Sequence, residues 1–329
     1  MPELSPADFQ RLRDVRASQP GLVKRTLDAR RKRELLADDG KLFIVAADHP
    51  ARGALAVRDD ESAMADRYDL LERLVTALGR PGVDGVLGTP DILEDLALLG
   101  ALDDKVVVGS MNRGGLRGAT FEMDDRYTAY SASAIKGAGL DFAKLLVRVA
   151  LADAGTAPTL EATAKAVSEA AALELPIMLE PFMSEWRDGR VVNDLSADAV
   201  ITSMAIAAGL GESSAYSWLK IPVVDDMERV MAATTLPTLL LGGDPSSNPL
   251  ETYAKWADAL ALPGVRGLVV GRTLLYPADG DVATAVDVAA GLVHTGAPSG
   301  RFSTASNHSA TDLDGSATMD QHVSEGSNA

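Results

Sequence analysis

From residue 41 onward, short apolar and β-branched runs alternate with longer stretches of helical periodicity. The runs are KLFIVAA (41–47), VDGVLG (83–88), KVVVGS (105–110), DFAKLLVRV (141–149), PIMLE (176–180), YSWLKIP (216–222), PTLLLGG (237–243) and VRGLVVG (265–271). Their nearly continuous apolar character is that of strands buried on both faces. The intervening stretches 61–79, 157–174, 196–210, 223–235, 248–261 and 281–293 predict helices. Ser196 is placed to cap one of them. Asn248 is placed to cap another, with Pro249 just inside. Residues 5–38 are polar and Arg-rich and predict one or two helices ahead of this repeat.

Eight strands, each followed by a helix, predict a closed parallel (β/α)8 TIM barrel over 41–295. An N-terminal helical extension (1–40) precedes it. The segment 296–329 is rich in Ser, Asp, Ala and Gly and is expected to be disordered. The 329 residues suit a barrel of roughly 250 residues with terminal additions. An open doubly wound sheet is the competing arrangement. To bind a dinucleotide it would need a G-x-G-x-x-G turn after the first strand, and AADHPARGAL is not one. The segment NRGGLRGATFEMDD (112–125) is longer than an ordinary βα loop. It is read either as a small hairpin at the barrel mouth or as a surface insertion.

Charge and composition narrow the chemistry. The net charge of -16 disfavours nucleic acid and anionic membranes as partners. It also means that a site for an anionic substrate must hold its own local cations. No cysteine is present, which excludes disulfides, thiolate metal sites and a Cys nucleophile. Of the four histidines, His49, His294, His308 and His322, three lie at or beyond the end of the repeat, which argues against a His-based zinc site. An oxygen-ligated Mg2+ site stays open. With no signal-like or membrane-length apolar run, a cytoplasmic location is expected.

Chemistry in such a barrel sits at the C-terminal ends of its strands. The first strand ends in Asp48-His49: a carboxylate there can act as a base, or merely cap a tight turn. The fourth carries Lys144, and alternation puts Lys144, Leu146 and Arg148 on one face. If that face looks inward, two cations line the cavity; an outward Lys144 would instead snorkel past helices. The fifth strand ends in Glu180, and the sixth contains Lys220. A lysine in an apolar pocket beside another cation has a lowered pKa and can attack a carbonyl as the free amine. A structural ion pair between Lys220 and Glu180 is the alternative. The seventh and eighth strands end in Gly242-Gly243 and Gly271-Arg272. Loops at these two positions commonly hold phosphate through exposed backbone N–H groups, and Arg272 adds a charged fork. Tight turns alone would also explain these glycines.

These residues resemble class I aldolases of the deoxyribose-phosphate and tagatose-bisphosphate aldolase superfamily, over roughly 40–295. The matching positions are Asp48 (VAADHP), Lys144 (FAKLLVRV), Glu180 (MLEPF) and Lys220 (WLKIPVV), with GGD (242–244) and VVGR (269–272) as phosphate-binding strand ends. More closely, ADHPARGAL, DGVLGTPDILEDLALLGAL, VVGSMNRGGL and ERVMAATTLPTLLLGGDP resemble an actinobacterial subgroup of aldolase-like barrels linked to inositol catabolism. The resemblance implies a Schiff-base carbon–carbon lyase that needs no cofactor. Its reaction would cleave 5-dehydro-2-deoxygluconate 6-phosphate to dihydroxyacetone phosphate and malonate semialdehyde. Arg148 departs from the sugar-bisphosphate pattern; it would bind a substrate carboxylate or pair with Glu180. His49 joins the expected substrate-binding set. Association into homo-oligomers is expected, with the Arg-rich N-terminal helices as a possible interface. A Mg2+-dependent aldolase using Asp48 or Glu180, and a non-catalytic sugar-phosphate-binding barrel, are the two other classes the sequence allows.

Overall fold

The structure, a computed structural model, describes residues 4–36, 38–111, 115–243 and 248–297. Its strands are β1 (Leu42–Ala46), β2 (Gly85–Gly88), β3 (Val106–Ser110), β4 (Phe142–Val149), β5 (Ile177–Arg187), β6 (Arg190–Asn193), β7 (Ser217–Pro222), β8 (Thr238–Leu241) and β9 (Val265–Val270). All but β6 run parallel in the order β4-β3-β2-β1-β9-β8-β7-β5, and a β4–β5 pairing closes the ring. The architecture is therefore the closed (β/α)8 barrel that the alternating pattern predicts. The expected eight strands all form.

The helices are α1 (Pro6–Ser18), α2 (Gly21–Ala29), α3 (Arg67–Leu78), α4 (Pro90–Leu98), α5 (Ala132–Gly137), α6 (Thr156–Ala172), α7 (Ala197–Ala208), α8 (Met227–Ala232), α9 (Pro249–Leu260), α10 (Arg272–Leu275) and α11 (Val282–Thr295). Ser196 and Asn248 accept from the backbone N–H groups of Ala199 and Glu251, the expected N-caps. The stretch from 61 becomes helical only at Arg67. Asp66 fixes that start by accepting from Tyr68 N and Asp69 N. Among the described residues, no helix is long and apolar enough to cross a membrane. The expected disordered segment lies outside the described residues from 298 on.

Strand parity divides the core into two sets. Phe43, Val45, Val86, Val107, Ala143 and Leu145 face outward and pack in the layer shared with the helices. Leu42, Ile44, Ala46, Leu87, Val106, Val108, Phe142, Met178, Trp218, Leu239 and Val269 fill the barrel interior. Phe142 and Trp218 meet edge to face there, with centroids 5.5 Å apart, an arrangement that contributes about 0.5–1.5 kcal/mol beyond area burial. Leu35 and Leu36, just after the N-terminal helices, pack against this interior set.

Four arginines of the N-terminal extension bind this chain's own carboxylates. Arg30 pairs with Asp141, Arg31 with Asp103 and Asp104, Arg33 with Asp84, and Arg16 with Glu94 and Asp95. The extension is thus fastened to the end of the barrel where the strands begin.

Residues 115–125 form neither the expected hairpin nor a mere surface insertion. They are a run of turns whose Glu122 and Asp125 are buried against the barrel, while 112–114 lie outside the described residues. The hairpin at the mouth comes instead from β5, which continues through Pro181 to Arg187 and turns back into β6. Asp188 and Gly189 make that turn with φ of 51° and 71°. An Asp-Gly pair adopts this geometry readily.

Candidate active site

The inward parity of the strands carries through to their C-terminal ends. Along β1 and just past it the inward set is Leu42, Ile44, Ala46 and then Asp48. Along β3 it is Val106, Val108 and Ser110. Phe142 on β4 is followed by Lys144, Met178 on β5 by Glu180, and Trp218 on β7 by Lys220. One layer above the apolar plug, the barrel is therefore lined by five polar groups, all buried.

They form one connected row. Ser110 Oγ donates to Asp48 Oδ2 at 3.0 Å, and Lys144 Nζ donates to the same oxygen at 3.0 Å. Lys144 Nζ also lies 2.6 Å from Glu180 Oε2. Lys220 Nζ donates to Glu180 Oε1 at 2.7 Å. Each oxygen of Glu180 thus takes one ammonium, and Lys144 bridges two carboxylates. Lys144 faces inward, as read from its parity.

Burial sets the electrostatics. It pushes the Lys220 ammonium below its ordinary pKa, and Lys144 adds to that; Glu180 and Asp48 act in the opposite direction. Burial alone would raise Glu180, but Lys144 and Lys220 outweigh it and hold the carboxyl at about 2. The site therefore presents a carboxylate that stays ionised beside a lysine held below its ordinary pKa.

His49 follows Asp48 directly, with Nδ1 4.0 Å from Asp48 Oδ1. Burial lowers its pKa against the pull of Asp48, and Arg272, Lys220 and Lys144 lower it further, to about 3. Its ring is neutral at ordinary pH, and Nδ1 has no hydrogen-bond partner in the structure. Gly271 makes room for it. A Cβ there would lie 2.4 Å from the Ala46 carbonyl oxygen and 3.1 Å from His49 Cε1. Arg272 opens the short helix α10 with its guanidinium half-buried, Nη1 3.5 Å from the Ala56 carbonyl. Gly242 at the end of β8 packs so closely on Val270 that a Cβ would come within 2.4 Å of Cγ1. Gly243 adopts φ +67°, with no atom of the described residues within 4 Å of where its Cβ would stand, and 244–247 lie outside the described residues.

Arg148 has the inward parity expected of it, two residues beyond Leu146, but it does not touch Glu180. Its Nε and Nη2 grip Asp125 at 2.9 Å each, and Nη1 meets Glu122 Oε1 at 3.0 Å. A further bond runs from Nη2 to the Glu122 carbonyl. The pairing expected with Glu180 is replaced by pairing with the 115–125 segment. Two carboxylates neutralise the guanidinium, so Arg148 anchors that segment over the mouth.

Sequence reasoning passed over four residues here. Ser110 was legible as the last inward position of KVVVGS. Glu122 and Asp125 lie 26 and 23 residues from Arg148 in irregular chain, where no periodicity points to them. Arg52, in the 3-10 turn Pro50–Arg52 after β1, sits in the field of Asp125, Asp48 and Glu180.

The solved structure of Cgl0159 from Corynebacterium glutamicum (Brevibacterium flavum) is 70% identical to this chain. The match covers 89% of this chain and 99% of that one, with a TM-score of 0.88. A Schiff-base-forming fructose-1,6-bisphosphate aldolase is 21% identical, covering 82% of this chain and 99% of its own, with a TM-score of 0.58. An archaeal fructose 1,6-bisphosphate aldolase is also 21% identical, covering 83% and 99%, with a TM-score of 0.57. At that identity the likeness is one of fold, the same (β/α)8 barrel. No curated protein matches the sequence. The Cgl0159-like family model matches residues 40–290, and the chain belongs to that family.

Proposed function

We propose that this protein is a lysine-dependent class I aldolase acting on a phosphorylated keto sugar acid, with Lys220 as the Schiff-base residue. One observation carries the reading. A buried lysine with a lowered pKa shares a carboxylate with a second lysine, which itself reaches the carboxylate ending β1. A metal-dependent reaction would want Asp48 and Glu180 directed at a cation; here both are occupied by ammonium groups. An archaeal fructose-1,6-bisphosphate aldolase of the same fold is described with its catalytic Lys covalently bound to the carbinolamine intermediate of its substrate. That precedent suggests which intermediate to trap.

In the proposed reaction, the free amine of Lys220 attacks the substrate ketone. Glu180 shuttles the proton that lets water leave the carbinolamine. The resulting iminium draws electrons from the adjacent C–C bond, which breaks as Asp48 takes the proton of the β-hydroxyl. The aldehyde fragment departs, the enamine on Lys220 is protonated, and water hydrolyses the iminium to return the amine. Lys144 favours the neutral form of Lys220 and hydrogen-bonds a substrate oxygen. Gly242, Gly243, Gly271 and Arg272 hold the phosphate and so fix the reacting carbons. We propose 5-dehydro-2-deoxygluconate 6-phosphate as the substrate, on the resemblance of the chain to barrels linked to inositol catabolism. Its C3–C4 cleavage gives malonate semialdehyde and dihydroxyacetone phosphate.

The test is borohydride reduction in the presence of dihydroxyacetone phosphate, followed by peptide mass mapping. A stable adduct on Lys220, lost in Lys220→Ala, is expected. No adduct on any lysine of the folded protein, together with an activity abolished by EDTA, would replace this reading with the metal-dependent one.

A further inference from the structure

Most of the half-buried or buried arginines around the barrel are neutralised by this chain's own carboxylates. Arg30, Arg33, Arg73, Arg80 and Arg148 each meet a carboxylate. Arg52 does not. Its backbone is well fixed: its N–H donates to the His49 carbonyl and its own carbonyl accepts from Arg117 N, both at 3.0 Å. The side chain is half-buried, its Nε is buried without a hydrogen-bond partner, and the guanidinium makes no ion pair with any described residue. Burial and the nearby Arg148 both work against its charge. A buried donor left unmade is destabilising, and more so when it is charged. An anion that arrives with the substrate would remove that cost.

The position of Arg52 says which end of the substrate this would be. The charged groups that bear on Arg52 are Arg148 on β4, Asp125 of the segment after β3, and Asp48 and Glu180. Its backbone is bonded to Arg117, in that same segment. Those that bear on His49 include Arg272, Lys220 and Lys144, and the His49 ring abuts Gly271. Two cations thus flank the row of reactive groups. Arg272 lies on the β9 side, with the glycines proposed to hold phosphate, and Arg52 reaches toward the β3–β4 side. Arg148, the nearer inward arginine, is already neutralised by Glu122 and Asp125.

We propose that Arg52 binds a carboxylate at the non-phosphorylated end of the substrate, on the fragment that leaves as the aldehyde. This rests on the Schiff-base reading for the identity of the two fragments. It makes the enzyme selective for anionic aldehyde partners.

The experiment runs the reaction toward condensation, with dihydroxyacetone phosphate and one of three aldehydes: malonate semialdehyde, glyceraldehyde 3-phosphate or neutral propanal. In wild type, malonate semialdehyde is expected to be preferred over both others. In Arg52→Gln, its advantage over propanal in kcat/KM should fall by about 10- to 100-fold, the span of one charged hydrogen bond, with the loss in KM. Arg52→Lys should restore part of it. A ratio unchanged in Arg52→Gln would overturn the proposal. Preference for glyceraldehyde 3-phosphate would overturn its carboxylate assignment. Binding of malonate by calorimetry decides the same point without turnover: affinity should drop at least tenfold in Arg52→Gln, and equal affinities would overturn the proposal. Borohydride trapping in the wild type reports the Schiff-base step separately, so a missing Lys220 adduct with Arg52-dependent malonate binding would sink the mechanism but not this site.

Discussion

The barrel carries a buried ionic network at each end, and the two are built differently. Where the strands begin, Asp84 accepts from the backbone N–H of Phe43 at 2.7 Å and from Arg33 at 2.5 Å, and lies 3.2 Å from His294 Nε2. Lys41 donates to the carbonyls of Leu260 and Val265, and Lys105 to that of Val83. Arg30 donates to the carbonyls of Lys105 and Gly139 as well as to Asp141. Where the strands end, Lys220 and Glu180 meet, among the described residues, side chains. Burial lowers the pKa of Lys41 and Lys105 as it does that of Lys220. A depressed lysine is therefore no sign of a nucleophile by itself. What separates the two ends is that one set of charges stitches loops and strand starts together through backbone groups, while the other joins side chains to one another at the C-terminal ends of the strands. The first arrangement holds the fold, and the second stands where barrels of this architecture carry out their chemistry, which is why we propose it as the reactive one.

The sharpest way to break this contrast is to remove one carboxylate from each end. Glu180→Gln should lower kcat by about 10²–10⁴-fold, the range for a positioned acid–base group. Its stability loss should be modest, because Lys220 can shed its proton when its counter-charge is gone. Asp84→Ala should do the reverse. It leaves Arg33, His294 and the Phe43 amide without their shared acceptor and should cost about 3–5 kcal/mol, read as a lowered urea midpoint. The yield of Lys220 adduct per folded molecule should not change. Equal effects of the two substitutions on both readouts would mean that the ends do not differ in kind.

A smaller effect tests the cation beside Lys220. Lys144 helps keep the Lys220 pKa low. In Lys144→Met that pKa should rise toward the ordinary lysine value, so less free amine is present at any given pH. The acidic limb of kcat/KM against pH should move upward, by on the order of one unit or more. A limb that stays in place would show that burial alone sets the nucleophile.

Most of the barrel was legible because one physical cause, burial on both strand faces, wrote the same apolar signature eight times. Parity then did for the site what periodicity did for the fold: Lys144 is inward because Phe142 is, and Glu180 because Met178 is. Where the reading stopped short, the determinant was not local. Pro181 looks like a strand terminator, yet β5 runs on through it opposite Val147 and into the hairpin with β6. The Asp188-Gly189 turn signal was present in the sequence. The partners of Arg148 lie in irregular chain, where only the folded structure brings them together. The lysines of the other end, Lys41 and Lys105, sit beside their strands as plausibly as Lys220 does in its own. Only their carbonyl partners assign them to the scaffold.

The mildest perturbation concerns His294, which belongs to the structural end. It meets Asp39 Oδ2 through Nδ1 at 2.5 Å and the Gly82 carbonyl through Nε2 at 2.9 Å. Asp84, with Asp39, raises its pKa to about 9 against the effect of burial. The folded-state pKa is thus above the unfolded value, so the stabilisation is fully present below about pH 6.5 and is lost as pH rises through about 9. At pH 7, His294→Gln should be less stable than wild type by about 1.5–3 kcal/mol, the value of a charged hydrogen bond. That gap should close as urea unfolding is repeated at pH 8, 9 and 10. The carboxylates have the opposite sign: Asp39 and Asp84 are held below the usual range, so their contribution fades only as pH falls well into acid. If the gap instead stays constant to pH 10, His294 acts as a neutral ring. The network at the strand starts would then be a set of hydrogen bonds rather than a charge pair, and the electrical half of the contrast between the two ends would fall.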